Sequence, residues 1–255
     1  AAHPRMPDDI RPQVYRDPRP PEYFARFHER ARECDPDWIY GLARFVLTLP
    51  TILFFRTRGI GVRNVPKDGP VILAPNHFSA WDHFFAGVYL RRHIRFMAKS
   101  QLFKHPVVEF IFFHGGVFPV RRGARDEEAF TTAKTILGKS GLILMYIEGG
   151  RSRSRELGEP KPGVGRLALE TGVPIVPVAI HGSAGVRGWK KLRFPKVTVQ
   201  FGEPMTWPVE ETASRERHQQ VADQVFGQVR EMYERIEREG PRAAAKAAKT
   251  VRAVP

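Results

Sequence analysis

Residues 76–85 read NHFSAWDHFF, with two histidines, a serine and an aspartate inside a run of large apolar side chains. A histidine can take a proton from a hydroxyl near neutral pH. A carboxylate on its other ring nitrogen fixes the tautomer and raises the basicity of the first. His77 and Asp82 could form such a pair, but their spacing sets a condition. On a regular helix five residues turn through roughly 500°, so the two side chains would diverge by about 140°. They meet only if His77 lies in a turn and Asp82 in the first helical turn after it. The sequence allows this, because Pro75 ends the preceding apolar run and Asn76 or Ser79 can cap a helix. The result would be a two-member version of the orienter–base arrangement of a hydrolytic triad.

Other readings of the same residues stay open. Ser79-x-x-Asp82 is also a capping-box pattern, in which Asp82 would serve only helix amides. His83 could be a core residue on an apolar face. His77, Asp82 and His83 are all possible metal ligands. However, the neighbouring Asp82 and His83 point in different directions on a helix and no further His/Asp cluster follows, so no metal is expected.

Several later segments carry chemistry of another kind. GGVFPVRRG, residues 115–123, reads as a strand ending in Arg121 and Arg122. YIEGGRSRS, residues 146–154, follows an apolar run and places Glu148, Gly149, Arg151 and Ser152 at its end. Glycine lets backbone approach a ligand closely, and arginine grips phosphate through two parallel hydrogen bonds. KPGVGRLALE opens a helix with Lys161 ahead of it, a place where anions sit well. Each arginine alone could be a solvated surface cation. Their recurrence at strand ends is the stronger observation.

These residues need a frame, and the chain alternates in a way that supplies one. Strands are expected at residues 61–66, 69–77, 94–100, 116–122, 142–150, 173–180 and 196–204. Helices are expected at 80–92, 105–113, 126–140 and 163–172. Strands as uniformly apolar as LILMYI and VPIVPVAI are buried on both faces. The alternation predicts an α/β fold, a mostly parallel (mixed) sheet flanked by helices, with ligands at the strand ends. The two prolines of VPIVPVAI place that strand at the sheet's edge.

The flanking segments divide the chain further. Residues 1–37 are polar and proline-rich, with a helix over 22–34. Residues 38–57 hold the most apolar stretch, WIYGLARFVLTLPTILFF. A spanning helix needs roughly 20 apolar residues, and this stretch has 18 residues interrupted by Arg44 and Pro50. The reading favoured is a helix lying in one leaflet with Arg44 reaching the headgroups, against a buried core helix. Residues 58–208 form the catalytic domain. Apolar positions from Val221 to Ile236 recur at helical spacing, giving an amphipathic helix within 209–240. Residues 241–255 form a basic, Ala/Lys-rich tail, expected to be disordered when free.

Composition narrows the partners. The formal net charge is +14, and residues 39–208 hold 25 basic and 11 acidic side chains, essentially the whole imbalance. Such a field attracts an anionic membrane, a phosphorylated substrate or a polyanion. No nucleic-acid-binding motif is recognisable, so no nucleic acid is expected. A single cysteine, Cys34, excludes an internal disulfide framework. The N-terminal residues lack the apolar core of a secretory signal. A serine hydrolase is disfavoured, because HGSAG around Ser183 lacks the first glycine of a nucleophile elbow.

The blocks NHFSAWD, GGVFPVR, YIEGGRS and VPIVPVAI, taken in order, resemble those of the glycerolipid acyltransferase family. Its members carry NHx4D, GxxFxxR, a block like FPEGTRS and an apolar proline-containing strand. The resemblance covers roughly residues 60–205. This chain departs at Tyr146-Ile147 for Phe-Pro, at Gly150 for Thr, and at Pro119. The resemblance implies that His77 is the general base toward an acceptor hydroxyl and that Asp82 orients it. It implies that Arg121 and Arg151, with Lys161 as a weaker candidate, hold the acceptor phosphate. Glu148, Gly149 and Ser152 belong to the same pocket, Glu148 ordering an arginine or an acceptor hydroxyl. It implies a donor that is acyl-CoA or acyl carrier protein, a lysophospholipid acceptor, no cofactor, and work at the cytoplasmic face of the cell membrane. The acceptor expected is 1-acylglycerol 3-phosphate, with glycerol 3-phosphate or another lysolipid as the alternative. A non-enzymatic basic lipid- or nucleic-acid-binding protein is the alternative class.

Overall fold

The computed structural model describes residues 17–121, 126–152, 154, 156–186 and 194–250. Seven strands form one sheet in the order β1-β7-β6-β2-β5-β3-β4. They are β1 (Arg58–Ile60), β2 (Val71–Pro75), β3 (Ile94–Lys99), β4 (Phe118–Val120), β5 (Leu142–Leu144), β6 (Ile175–His181) and β7 (Thr198–Phe201). Every pair within β6-β2-β5-β3-β4 is parallel. β7 is antiparallel to β6, and β1 runs parallel to β7. The sheet is therefore mixed and mostly parallel, as the alternation implies.

The apolar runs are explained by cores on both faces. Ile72, Ala74, Ile143 and Ile175 pack with Leu137 of α5 (Glu127–Gly138), Leu167 of α6 (Gly163–Thr171) and Val225 of α7 (Arg215–Thr250). Their neighbours in sequence, Val71, Leu73, Leu142 and Val176, face the other way. That side packs on Phe55 of α2 (Trp38–Phe55) and Phe85 of α3 (Asp82–Gly87). Side chains alternate across a strand, so a strand covered on both faces must be apolar at every position. The remaining helices are α1 (Glu22–Glu33) and α4 (Pro106–His114), which meet Phe103 and Val117 in a smaller cluster with Phe24 and Phe27.

Four expectations are corrected. β6 is interior, between β7 and β2, despite its prolines. Pro177 falls opposite Gly202, one residue beyond the end of β7, and only its carbonyl is used there, accepting Gly202 N–H at 2.8 Å. No ladder bond needs the missing N–H. Residues 61–66 are not a strand: Gly61 takes φ +66°, and Val62–Asn64 forms a 3-10 turn. The amphipathic helix begins at Arg215 rather than 209. It continues past a bend at Gly240 to Thr250, where a disordered tail was expected. Ala244 is buried against Ile60 and Ile236, which holds that extension to the domain.

α2 is capped by Asp37, whose side chain accepts the N–H of Ile39 at 3.0 Å. Only Thr51 and Phe55 of this helix are buried. Phe45, Leu49, Leu53 and Trp38 stand more than half exposed, and Val107 and Phe110 of α4 add to the apolar surface. A buried core helix is excluded. Arg44 does not extend outward; it donates to the carbonyl of Leu90 and so ties α2 to the end of the α3 segment.

Candidate active site

His77 stands in the turn after β2, and Asp82 is the first residue of α3. His77 Nδ1 lies 2.9 Å from Asp82 Oδ2, and both side chains are buried. The same oxygen accepts the main-chain N–H of Phe78 at 2.7 Å and of Ser79 at 2.8 Å. The capping role and the pairing with His77 are thus performed by one carboxylate. Three contacts on one carboxyl oxygen fix it between the turn and the helix. With Nδ1–H donating to Asp82, the lone pair sits on Nε2, the nitrogen able to accept a proton.

The turn itself is fixed from two sides. Asn76 extends the β2–β6 pairing through its side chain: Oδ1 accepts the N–H of Ile180 at 2.7 Å and Nδ2 donates to its carbonyl at 3.1 Å. It does not cap α3. On the β5 side, Glu148 Oε1 accepts the N–H of His77 at 2.8 Å, and the N–H of Ser152 donates to the carbonyl of His77 at 2.8 Å. The Tyr146 ring stacks on the imidazole with centroids 3.6 Å apart and planes 14° apart. Glu148 therefore orders the backbone of His77 rather than an arginine. Its second oxygen accepts the N–H of Gly158 at 2.9 Å. Burial pushes the Glu148 carboxyl up to about 7, against the two N–H bonds that lower it, with Asp82 adding to the rise.

The other residues of this loop divide by function. Gly149 takes φ +66°, a conformation that glycine adopts without strain. Ser152 Oγ is engaged within the loop, 2.7 Å from the carbonyl oxygen of Glu156 and 2.9 Å from that of Ser154, either of which can accept its one O–H, so it shapes the turn. Lys161 is exposed, and its main-chain N–H donates to Ile147 at 2.8 Å. Arg121 sits at the same carboxyl edge, at the end of β4, three strands from β2. Its N–H donates to Asp126 Oδ2 at 2.6 Å, and its Nε lies 3.7 Å from that oxygen. Arg122 and Arg153 lie outside the described residues.

A cavity of about 170 Å³ opens beside His77. Arg151, Lys99, Tyr146 and His83 line it with apolar side chains. A second cavity of about 130 Å³ runs on beneath α2. The two share a wall of His83, Phe96, Phe112 and Val117, and so line up as a channel of two chambers between His77 and the underside of the exposed helix. Arg121, Glu148, Gly149, Ser152 and Lys161 are absent from the described lining. His83 does not converge with His77 and Asp82 as a metal ligand would; its ring packs on Phe84 and Phe96.

Sequence reasoning missed three positions. Lys99 could have been found by the rule applied to the arginines, since it ends a strand. Asn76 was read as a cap because nothing in one sequence shows which strand lies alongside. Gly158 carries no motif, yet a Cβ there would fall 2.5 Å from Glu148 Oε2.

An α/β sheet with a buried histidine–aspartate pair at its carboxyl edge places a candidate base where ligands bind in sheets of this class. Comparison with known proteins narrows the class. The model of the family described as Acyltransferase matches residues 56–181. The chain is 27% identical over 148 residues to the 1-acyl-sn-glycerol-3-phosphate acyltransferase BAT2, chloroplastic, of Brassica napus, covering 57% of this chain and 43% of that one. It is 29% identical over 125 residues to the 1-acyl-sn-glycerol-3-phosphate acyltransferase of Borreliella burgdorferi, covering 48% of this chain and 50% of that one. The crystal structure of the 1-acyl-sn-glycerophosphate (LPA) acyltransferase PlsC from Thermotoga maritima has the same fold, with a TM-score of 0.56 and 23% identity. The match covers 82% of this chain and 88% of that one. The chain is similar to the acyltransferase family over just under half of its length, the part that holds β1 to β6. It spans half or less of the length of these two curated relatives.

Proposed function

We propose that the chain transfers a fatty acyl group from acyl-CoA or acyl carrier protein to the free hydroxyl of 1-acylglycerol 3-phosphate, giving phosphatidate for phospholipid synthesis. The observation that carries this reading is the His77–Asp82 contact of 2.9 Å beside a channel with two cations, Arg151 and Lys99, and an apolar interior. A base, an anion-binding pair and a greasy channel are the three things the reaction needs.

In this reading His77 Nε2 takes the proton of the acceptor hydroxyl as its oxygen attacks the thioester carbon. The carbon–sulfur bond breaks, and the leaving thiolate takes the proton from the imidazolium. Asp82 holds the ring and balances its transient charge. The reaction balances without a cofactor or metal. Arg151 grips the acceptor phosphate, and Arg121 extends the same positive edge. The acyl chain lies in the channel. α2 and α4 lie in the cytoplasmic leaflet, bringing the channel to the lipid. Phosphatidate formation from lysophosphatidate and a long-chain acyl thioester, with and without His77, tests the proposal.

A further inference from the structure

We propose that His83 makes this channel select acyl chains bearing a hydroxyl group, so that hydroxyacyl thioesters are preferred donors. The proposal rests on the acyl-transfer reading and adds the chemical class of the donor.

His83 borders both cavities, in the stretch of wall they share with Phe96, Phe112 and Val117. Its ring meets Phe84 at 3.9 Å and Phe96 at 5.5 Å between centroids. Neither ring nitrogen has a hydrogen-bond partner among the described residues. The other polar side chains of the deep cavity each have a partner within the protein. Tyr40 Oη accepts the N–H of Ile94 at 3.1 Å, Arg44 donates to Leu90, and Thr48 Oγ1 donates to the carbonyl of Arg44 at 2.7 Å. Burial pushes the His83 imidazole down to about 4, with His77 lowering it further, so it is neutral at physiological pH. A neutral imidazole offers one N–H and one lone pair.

Without a chain, water can serve these nitrogens. A plain alkyl chain displaces that water and returns nothing, which leaves a buried polar group unpaired. A chain hydroxyl can donate to the lone pair or accept the N–H, so it restores what the chain removed. Sites built to bond a substrate hydroxyl reject the analogue that lacks it more strongly than apolar pockets reject size differences. His83 follows Asp82 on α3, so its place along the channel is fixed by the same turn that holds the base.

The test is a competition between hexadecanoyl-CoA and a positional series of hydroxyhexadecanoyl-CoA donors, with lysophosphatidate as acceptor and product ratios read by mass spectrometry. The preference is a ratio within one protein, so partial loss of folding in a variant cancels. The native chain should favour at least one hydroxy isomer by about tenfold. His83→Phe should abolish the preference, and His83→Asn, which keeps a donor and an acceptor, should retain part of it. No preference for any isomer, or an equal preference in His83→Phe, overturns the proposal. If neither donor reacts, the acyl-transfer reading fails. Calorimetric binding of the two free acids to the same variants then decides for His83 alone: the same preference supports its role and equal affinities overturn it.

Discussion

Glu148 and His77 are 71 residues apart in sequence, yet Glu148 Oε1 accepts the main-chain N–H of His77 at 2.8 Å. The carboxylate joins the turn after β2 to the loop after β5, and its second oxygen holds Gly158. Its folded-state value of about 7 lies above the ordinary 4.5, so folding favours the protonated form. The stability from that form is complete below about 4.5 and lost as pH rises through about 7. In Glu148→Gln this titration is removed, and thermal stability should fall less between pH 5 and 8 than in the native chain. The amide keeps one acceptor but turns an NH2 group toward the other N–H. The turn loosens, and kcat should drop by about 10²-fold. An unchanged slope of stability against pH would assign the titration to another group.

Asp82→Asn tests the orienter. The carboxylate oxygen takes three donors, and a neutral amide oxygen holds them less strongly and does not balance an imidazolium. The expected result is a fall in kcat of about 10²–10⁴-fold with acceptor KM little changed. A change confined to KM would place Asp82 in binding instead.

How much of this was legible in the sequence depends on how local each cause is. The two-sided burial of β2, β5 and β6 is written in their apolar runs, and the His77–Asp82 spacing stated the one geometry in which the pair could meet. Long-range partners were not legible. Pro177 suggested an edge strand, because proline lacks a donor, but β7 ends where that donor would be needed. Arg44 looked destined for headgroups until the Leu90 carbonyl was found within its reach. Ala244 carried no signal that it would be buried, since an Ala/Lys-rich segment packs only if a neighbour such as Ile60 is there to meet it.

Arg151 is exposed at the mouth of the channel. Arg151→Ala should raise the acceptor KM about tenfold for lysophosphatidate, and much less for a neutral monoacylglycerol. Steady-state kinetics with both acceptors measures the difference. Equal effects would mean that Arg151 does not bind phosphate.

The apolar face of α2 provides a separate test. Phe45 is 80% exposed and Leu49 62% exposed, so polar substitution there removes no packing inside the domain. Phe45→Asp with Leu49→Asp should weaken binding to vesicles containing anionic phospholipid by at least about tenfold and leave the melting temperature nearly unchanged. Cosedimentation with vesicles reads the first and calorimetry the second. Undiminished vesicle binding would move the membrane contact away from α2.

The central claim is that His77 is the base of an acyl transfer. The most direct measurement follows thiol release and phosphatidate formation together, from a long-chain acyl-CoA and lysophosphatidate, for the native chain and for His77→Ala. The account predicts one phosphatidate per thiol released in the native chain, and a loss of about 10²–10⁴-fold in the variant with its fold intact by circular dichroism. Phosphatidate formation at the native rate by His77→Ala would contradict it.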